Sequence, residues 1–132
     1  MTNFQFATLT ILGLMQPSKV VFDIPSLKNK SIVEIRHILG KPKIDNVPLN
    51  YKTQSGSNGD AFFDKDGFVL EITYSPVNNK VNDFFIGKDK PVSDYRLLEE
   101  AGNLMKSKDF ILTPVKSSKY PTMFTGVTVT PK

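Results

Sequence analysis

The chain contains no cysteine and no tryptophan, and its single histidine is His37. Without cysteine, thiolate zinc sites, iron–sulfur clusters, cysteine nucleophiles and lipid attachment through cysteine are excluded. With one histidine, metal sites and acid–base dyads built on two histidines are excluded as well. A domain of 132 residues buries enough surface to fold without a disulfide or a metal. We therefore expect no metal and no cofactor.

A strong excess of one charge sign is also missing. The chain has 17 Lys and Arg against 13 Asp and Glu, a formal net charge of +4. Its lysines are scattered from Lys19 to Lys132, whereas nucleic-acid-binding proteins usually concentrate their basic residues. Hydrophobic residues make up 39% and charged residues 23%, which is typical of a globular chain. The length fits one domain spanning residues 1–132.

The one long apolar run, Phe6 to Met15, has the length of a signal-peptide core. No Lys or Arg precedes it, and no small-x-small cleavage motif follows it. It is too short to cross a bilayer, so we expect no transmembrane segment. Because Leu9 and Ile11 alternate with threonines, it also fits a β-strand. Residues 1–18 are thus either a first strand or a degenerate export signal.

A first short helix is predicted near residues 31–39. Ser31 and Glu34 have the spacing of a capping box, in which each side chain bonds the other residue's backbone N–H. Gly40 and Pro42 follow the last apolar position and are typical of helix termination. Four β-branched residues in this stretch would favour a strand, but signals at both ends favour the helix.

A second helix is predicted near residues 94–106. Ser93 precedes it as a candidate N-cap, and Asp94 suits the positive end of the helix dipole. Its apolar stripe would consist of Leu97, Leu98, Ala101, Leu104 and Met105. Across the fold, the residues expected to be buried are Ile35, Leu39, Leu70, Ile72, Leu98 and Leu104.

Alternation of apolar and polar residues predicts the strands. The predicted ranges are Lys19–Ile24, Val47–Thr53, Ala61–Phe63, Phe68–Tyr74, Val81–Ile86, Phe110–Val115 and Met123–Thr130. The four strands from Val47–Thr53 to Val81–Ile86 form an antiparallel meander, and Gly87–Pro91 is a connector after it. The last two form a closing hairpin in which Pro114 indicates an edge strand. The sequence therefore predicts an α+β fold, an antiparallel sheet with two short helices packed on one face.

Residues 23–42, DIPSLKNKSIVEIRHILGKP, combine a polar–Ile–Pro–x–Leu start, a short capped helix and a Leu-Gly-x-Pro end. Together with the hairpin up to Ile86, this pattern resembles the SmpA/OmlA outer-membrane assembly lipoproteins. It is also similar to secreted proteins of the β-lactamase-inhibitor-like fold. Those lipoproteins carry a lipidated cysteine, which this chain lacks. The resemblance implies a non-enzymatic protein-binding module, an inhibitor or a cell-envelope accessory protein; the residues themselves leave a cytoplasmic location open.

Catalytic and ligand-binding motifs are weak throughout the chain. Asp64, Asp66 and Gly67 look like the start of a calcium loop, but its twelfth position is Ser75, which cannot supply a bidentate carboxylate. Glu99 and the next glutamate are adjacent on a helix and point apart. Neither a phosphate-binding glycine loop nor a nucleophile elbow occurs. An enzyme without a sequence motif remains a third alternative.

The partner site is predicted on the sheet face away from the helices. Glu71 and Thr73 alternate away from the helix-facing residues of their strand, and one of Phe84 and Phe85 must point the same way. A large ring on such a face is a typical anchor for a protein partner. Tyr120, in the last hairpin, is a second candidate anchor.

The alternative site is a basic region around the first helix, made of Lys28, Lys30, Arg36, Lys41 and Lys43. It is the highest local density of positive charge in the chain and would suit a weak nucleic-acid-binding protein. Such a role also needs exposed aromatic rings, which the pairs Phe62-Phe63 and Phe84-Phe85 could each supply once. We expect the rings to be needed in the core instead, so a nucleic-acid partner is disfavoured.

Overall fold

The computed structural model describes residues 19–52 and 57–132, so the alternatives for residues 1–18 lie outside the described residues. The described chain is an α+β fold of six strands, two α-helices and one 3-10 helix. The 3-10 helix spans Ile24–Leu27, and the α-helices are α1 (Ile32–Leu39) and α2 (Arg96–Ala101). The strands are β1 (Ile44–Asn46), β2 (Gly59–Lys65), β3 (Phe68–Tyr74), β4 (Val81–Val92), β5 (Phe110–Lys116) and β6 (Phe124–Pro131).

All six strands form one antiparallel sheet in the order β1-β2-β3-β4-β6-β5. The predicted meander and closing hairpin are both present, and β6 pairs with β4, which leaves β5 at the edge. The Lys132 N–H donates to the Asp109 carbonyl, 2.9 Å away. Residues of an antiparallel strand bond to one neighbour at every second position. Because Asp109 bonds to the β6 side, the backbone N–H and C=O groups of Phe110, and of every second residue after it, point away from β6. Pro114 therefore lies where the sheet needs no N–H, as predicted for an edge strand.

Strand residues alternate between a buried set and a half-exposed set. On β3, Phe68, Leu70, Ile72 and Tyr74 are buried, while the residues between them are not. The buried set joins Ile32 and Ile35 of α1 and Leu98 and Ala101 of α2 in one hydrophobic cluster. Of the residues predicted to be buried, Leu39 alone is only partly so. We call the half-exposed side of the strands the outer face.

The strand predicted at Lys19–Ile24 is wrong. Val21 and Phe22 are both buried, which a strand with one wet face does not allow for neighbouring residues. Their N–H groups both donate to the Ala101 carbonyl, at 2.8 and 3.0 Å, so the end of α2 replaces a strand as their partner. The chain then enters the 3-10 helix, whose first turn contains Pro25.

The strand predicted at Val47–Thr53 is displaced. Pairing with β2 occurs earlier, over Ile44–Asn46, and Leu49 is fully exposed. A turn closed by the Tyr51 N–H and the Pro48 carbonyl follows instead. The predicted connector Gly87–Pro91 is also wrong, because β4 continues to Val92 with an irregularity in its pairing with β6 after Gly87.

Helix α1 confirms its prediction. The Glu34 N–H donates to the Ser31 hydroxyl at 3.1 Å, and the Ser31 N–H donates to the Glu34 carboxylate at 3.0 Å, which completes the capping box. After Leu39, Gly40 adopts a φ of +90°, which favours glycine.

Helix α2 is shorter than predicted, and Ser93 is not its cap. Asp94 instead accepts from the backbone and guanidinium of Arg96. The helix ends at Ala101 because the chain turns back at Asn103, whose φ is +59°; Leu104 is still buried. No helix within the described ranges has the length and hydrophobicity needed to cross a membrane.

Candidate functional site

The outer face contains a row of five directly paired residues across five strands. The residues of this central row are Ile44, Phe62, Glu71, Phe85 and Thr128. Neighbouring strands are roughly 4.8 Å apart, so Glu71 has a phenylalanine on each side at that spacing. The row is half-exposed, and at its end Ile44 has 46% of its surface accessible. An accessible row of aromatic and aliphatic side chains around one carboxylate can bind an amphipathic ligand.

The Phe85 ring lies over two glycines of the neighbouring backbone. A Cβ atom placed on Gly126 would be 2.1 Å from Cζ of the ring, and one placed on Gly87 would be 3.1 Å from Cε2. Gly87 and Gly126 pair with each other across β4 and β6. The absence of both side chains therefore lets the ring approach the sheet, which fixes its position on the outer face.

Two aspartates lie near Glu71 on the outer face. Asp60 and Asp83 both pair with Thr73, and the Thr73 hydroxyl donates to Asp60 Oδ1 at 3.2 Å. The pKa of Glu71 is raised, first by burial, then by the charge of Asp60 and a hydrogen bond with it, and finally by the charge of Asp83. This part of the outer face therefore presents partly desolvated negative charge, which a cation or an N–H donor would stabilise.

The structure brings together three of the five predicted partner-binding residues. Phe85, Glu71 and Thr73 share the outer face, as their alternation predicts. Phe84 does not, because it is 1% exposed and packs edge-on against Phe110 in the core at 6.3 Å. Tyr120 is 47% exposed in the β5–β6 turn, where its ring contacts Lys119. Tyr120 lies outside the paired strands that carry Phe85, so the two residues belong to different parts of the fold.

Several members of the outer face were not predicted from the sequence. Phe62 appeared only as a possible ring for nucleic acid, although the Asp66-Gly67 turn, once its register is fixed, sets Phe62 opposite Glu71. Ile44 was missed because its strand was predicted too late in the chain. Asp83 had no signal of its own, since its proximity to Glu71 depends on the register between β3 and β4.

The predicted basic region is largely neutralised by carboxylates. Arg36 pairs with Asp45, Lys43 Nζ lies 2.9 Å from Asp64 Oδ2, and Lys28 Nζ lies 4.0 Å from Asp109 Oδ1. Within the described residues, Lys30 and Lys41 have no such ion pair. The five residues therefore do not form a continuous surface of free positive charge.

A polar cluster links α1 to the sheet at Arg36, Asp45 and Tyr74. The Tyr74 hydroxyl donates to Asp45 Oδ1 at 2.7 Å, and Arg36 Nη2 contacts both partners. Burial, followed by the hydrogen bond and charge of Asp45, raises the pKa of Tyr74 to about 12. The hydroxyl is therefore protonated at neutral pH and serves to join the elements. In the part of the chain that the structure describes, no group of three or more His, Asp and Glu residues could hold a metal ion.

A comparison of the chain with protein-family models, with curated proteins and with solved structures finds no significant match in any of the three.

Proposed function

We propose that the chain is a non-enzymatic protein-binding module whose binding surface is the outer face of the sheet. In this proposal both helices lie on the opposite, core face and leave the outer face open. The observation that carries it is the position of Glu71, between Phe62 and Phe85 in the central row, with a pKa raised by burial and by Asp60 and Asp83.

This position costs the isolated protein stability. A carboxylate between two aromatic side chains loses hydration, and its neighbours add repulsion rather than neutralisation. A partner that brings an arginine or lysine to Glu71 would remove both penalties. Charge-assisted hydrogen bonds are the strong ones in such interfaces, and flanking aromatic rings are the usual anchors. The proposed ligand is therefore a protein segment that carries a cationic side chain beside an apolar one.

An inhibitor or a cell-envelope accessory protein works through binding alone, so this surface is compatible with the role that the resemblance of residues 23–86 implies. The nucleic-acid alternative has less support. Arg36, Lys43 and Lys28 are engaged by aspartates, and the outer face that holds the half-exposed rings is acidic and would repel phosphates. The enzyme alternative has no constellation of side chains in its favour within the described residues.

The test is an amide NMR titration of the full chain. The probe is an acetylated, amidated peptide of alternating leucine and arginine, and the comparison peptide has glutamate in place of arginine. We expect saturable shifts at Phe62, Glu71 and Phe85 with the arginine peptide only. Glu71→Gln should weaken binding about tenfold or more, because a hydrogen bond to a charged group contributes roughly 1.5–3 kcal/mol.

Glu99→Gln is the matched control for this titration. Burial also raises the pKa of Glu99, but that residue lies on α2, away from the outer face. Its substitution should leave the affinity unchanged. Equal binding of the two peptides, or equal weakening by both substitutions, would show that Glu71 is not part of a binding site. The proposed binding surface would then be wrong.

A further inference from the structure

A cleft of about 620 Å³ lies on a different part of the molecule from the central row. Its walls come from the start of α1, the β3–β4 turn and the end of β6. Three lysines line it: Lys30 just before α1, Lys80 in the turn and Lys132 after β6. The volume is within the range of roughly 300–1,000 Å³ that is usual for small-molecule sites. We call this feature the lysine cleft.

Hydrogen bonds from the main-chain N–H groups hold the backbone of all three lysines in place. The Lys30 N–H donates to the Leu27 carbonyl at 3.2 Å, and the Lys132 N–H donates to the Asp109 carbonyl at 2.9 Å. The Lys80 N–H donates to the side-chain oxygen of Asn78 at 3.0 Å. Two walls of the cleft are also joined, because the backbones of Lys80 and Ser31 pair in an antiparallel β-bridge. The cleft is thus held open by the fold, which reduces the entropic cost of binding.

The side chains that line the lysine cleft have an excess of positive charge. Within the described residues, none of the three forms an ion pair, in contrast to Lys28 and Lys43. Among the side chains that line the cleft there is one carboxylate, Glu34, and it accepts the Ser31 N–H in the capping box. The hydrogen bonds of that carboxylate with Ser31 lower the pKa of Glu34, and the charge of Lys30 also helps to lower it. Three lysines against this one carboxylate still leave the side chains of the cleft with a net positive charge.

Two asparagine amides give the cleft neutral hydrogen-bonding groups. The side-chain oxygen of Asn78 is used by Lys80, which leaves its NH₂ group as a donor. The NH₂ group of Asn82 donates to Asn58 Oδ1 at 3.1 Å, which leaves its oxygen as an acceptor. A donor and an acceptor beside three cations suit a ligand that carries hydroxyl groups as well as negative charge.

We propose that the lysine cleft binds a small organic phosphate, with the phosphate held by Lys30, Lys80 and Lys132 and hydroxyl groups held by Asn78 and Asn82. Lysine binds phosphate as a point charge, so three lysines around one group need no fixed fork geometry. This site is separate from the proposed protein-binding surface, so either proposal can be wrong while the other holds.

The test is a titration of the full chain, followed by amide NMR, with ribose 5-phosphate, inorganic phosphate and ribose as separate probes. We expect saturable shifts at Lys30, Lys80, Asn82 and Lys132 with ribose 5-phosphate, weaker binding of inorganic phosphate, and none of ribose. Lys80→Gln and Lys132→Gln should each weaken ribose 5-phosphate binding about tenfold and reduce its salt dependence.

Lys41→Gln is the matched control, since Lys41 is exposed and also free of ion pairs in the described chain, but lies outside the cleft. It should leave the affinity unchanged, as should Glu71→Gln on the outer face. Thermal unfolding checks that each variant is folded. The proposal is overturned if no saturable shift occurs, if Lys41→Gln weakens binding as much as the cleft variants, or if inorganic phosphate binds as tightly as ribose 5-phosphate.

Discussion

The ring of Phe85 occupies the space directly above Gly126, where a methyl group would lie 2.1 Å from Cζ. The two residues belong to neighbouring strands, and Gly126 also pairs with Gly87, over which part of the same ring extends. The ring therefore replaces the missing side chains of two glycines on the outer face. Its position therefore depends on the backbone of these two glycines.

Gly126→Ala should destabilise the fold by about 1–3 kcal/mol, the usual cost of adding a methyl group where there is no room. The new methyl group would displace the Phe85 ring and would approach the Ile86 carbonyl oxygen, 2.8 Å from the ideal Cβ position. Urea unfolding of the variant and of the wild type measures this cost. The same variant should also weaken binding of the arginine peptide, because the ring leaves its place in the central row.

The control for this prediction is the same substitution in a Phe85→Ala background. Without the ring, the cost of Gly126→Ala should fall but not vanish, since the Ile86 carbonyl remains. The difference between the two backgrounds is the coupling between ring and backbone. Equal costs in both would show that the ring is not held above Gly126.

Ser31→Ala should destabilise the protein by about 0.5–2 kcal/mol because it removes the hydroxyl that accepts the Glu34 N–H. Ser93→Ala is the matched comparison. Ser93 is exposed and was expected to cap α2, but that helix has Tyr95 at its N-cap position and no side-chain cap. Its substitution should change the free energy of unfolding by no more than about 0.5 kcal/mol. Similar losses for both serines, measured in urea, would contradict the caps that the structure shows.

The stability should fall between about pH 10 and about pH 12 through Tyr74. Its pKa is raised to about 12 in the folded protein from an ordinary value of 10.0. In that window the unfolded chain loses the phenolic proton first, so it binds fewer protons than the folded chain and the free energy of unfolding decreases as the pH rises. Below pH 10 the contribution is fully present.

Ultraviolet absorbance of tyrosinate follows this titration directly. Among the four tyrosines of the chain, one should ionise near pH 12, and Tyr74→Phe should abolish that step. The Tyr51→Phe variant should still show the ionisation near pH 12 and should still lose stability between about pH 10 and about pH 12. If the late step survives in Tyr74→Phe, it belongs to another tyrosine, and the raised pKa of Tyr74 is contradicted.

Leu70→Ala and Leu98→Ala should each cost roughly 2–5 kcal/mol, since both side chains are fully buried and a cavity would remain. Leu97→Ala is the control, because that neighbour of Leu98 is 45% exposed. It should lower the melting temperature much less. An unchanged melting temperature for either core variant would contradict the burial of that leucine.

The parts of the fold predicted correctly are those in which local chemistry and long-range packing agree. Phe68–Tyr74 alternates strictly and has partners on both sides, and α1 has a capping box together with buried Ile32 and Ile35. Lys19–Ile24 alternates in sequence as well, but its N–H groups bind the end of α2, a contact some eighty residues away that no local pattern reveals.

Only those residues of the candidate site that follow from the alternation of apolar and polar residues could be predicted from the sequence. Alternation on β3 sets Glu71 and Thr73 on the outer face, and it requires one of Phe84 and Phe85 to join them. Which of the two does so depends on the register between β3 and β4, and so does the proximity of Asp83 to Glu71. Register is a pairing between distant segments, so these features follow from the structure and not from composition or spacing.

Pro114 on the edge strand β5 limits the ways in which two copies or two proteins can join. A strand added beside β5 would find no N–H at this residue, so a ladder along that side is interrupted near its middle. At the opposite side β1 offers only three residues. Addition of strands at the sheet edges, the route to fibrils and to strand-swapped dimers, is therefore hindered at both edges of the described sheet.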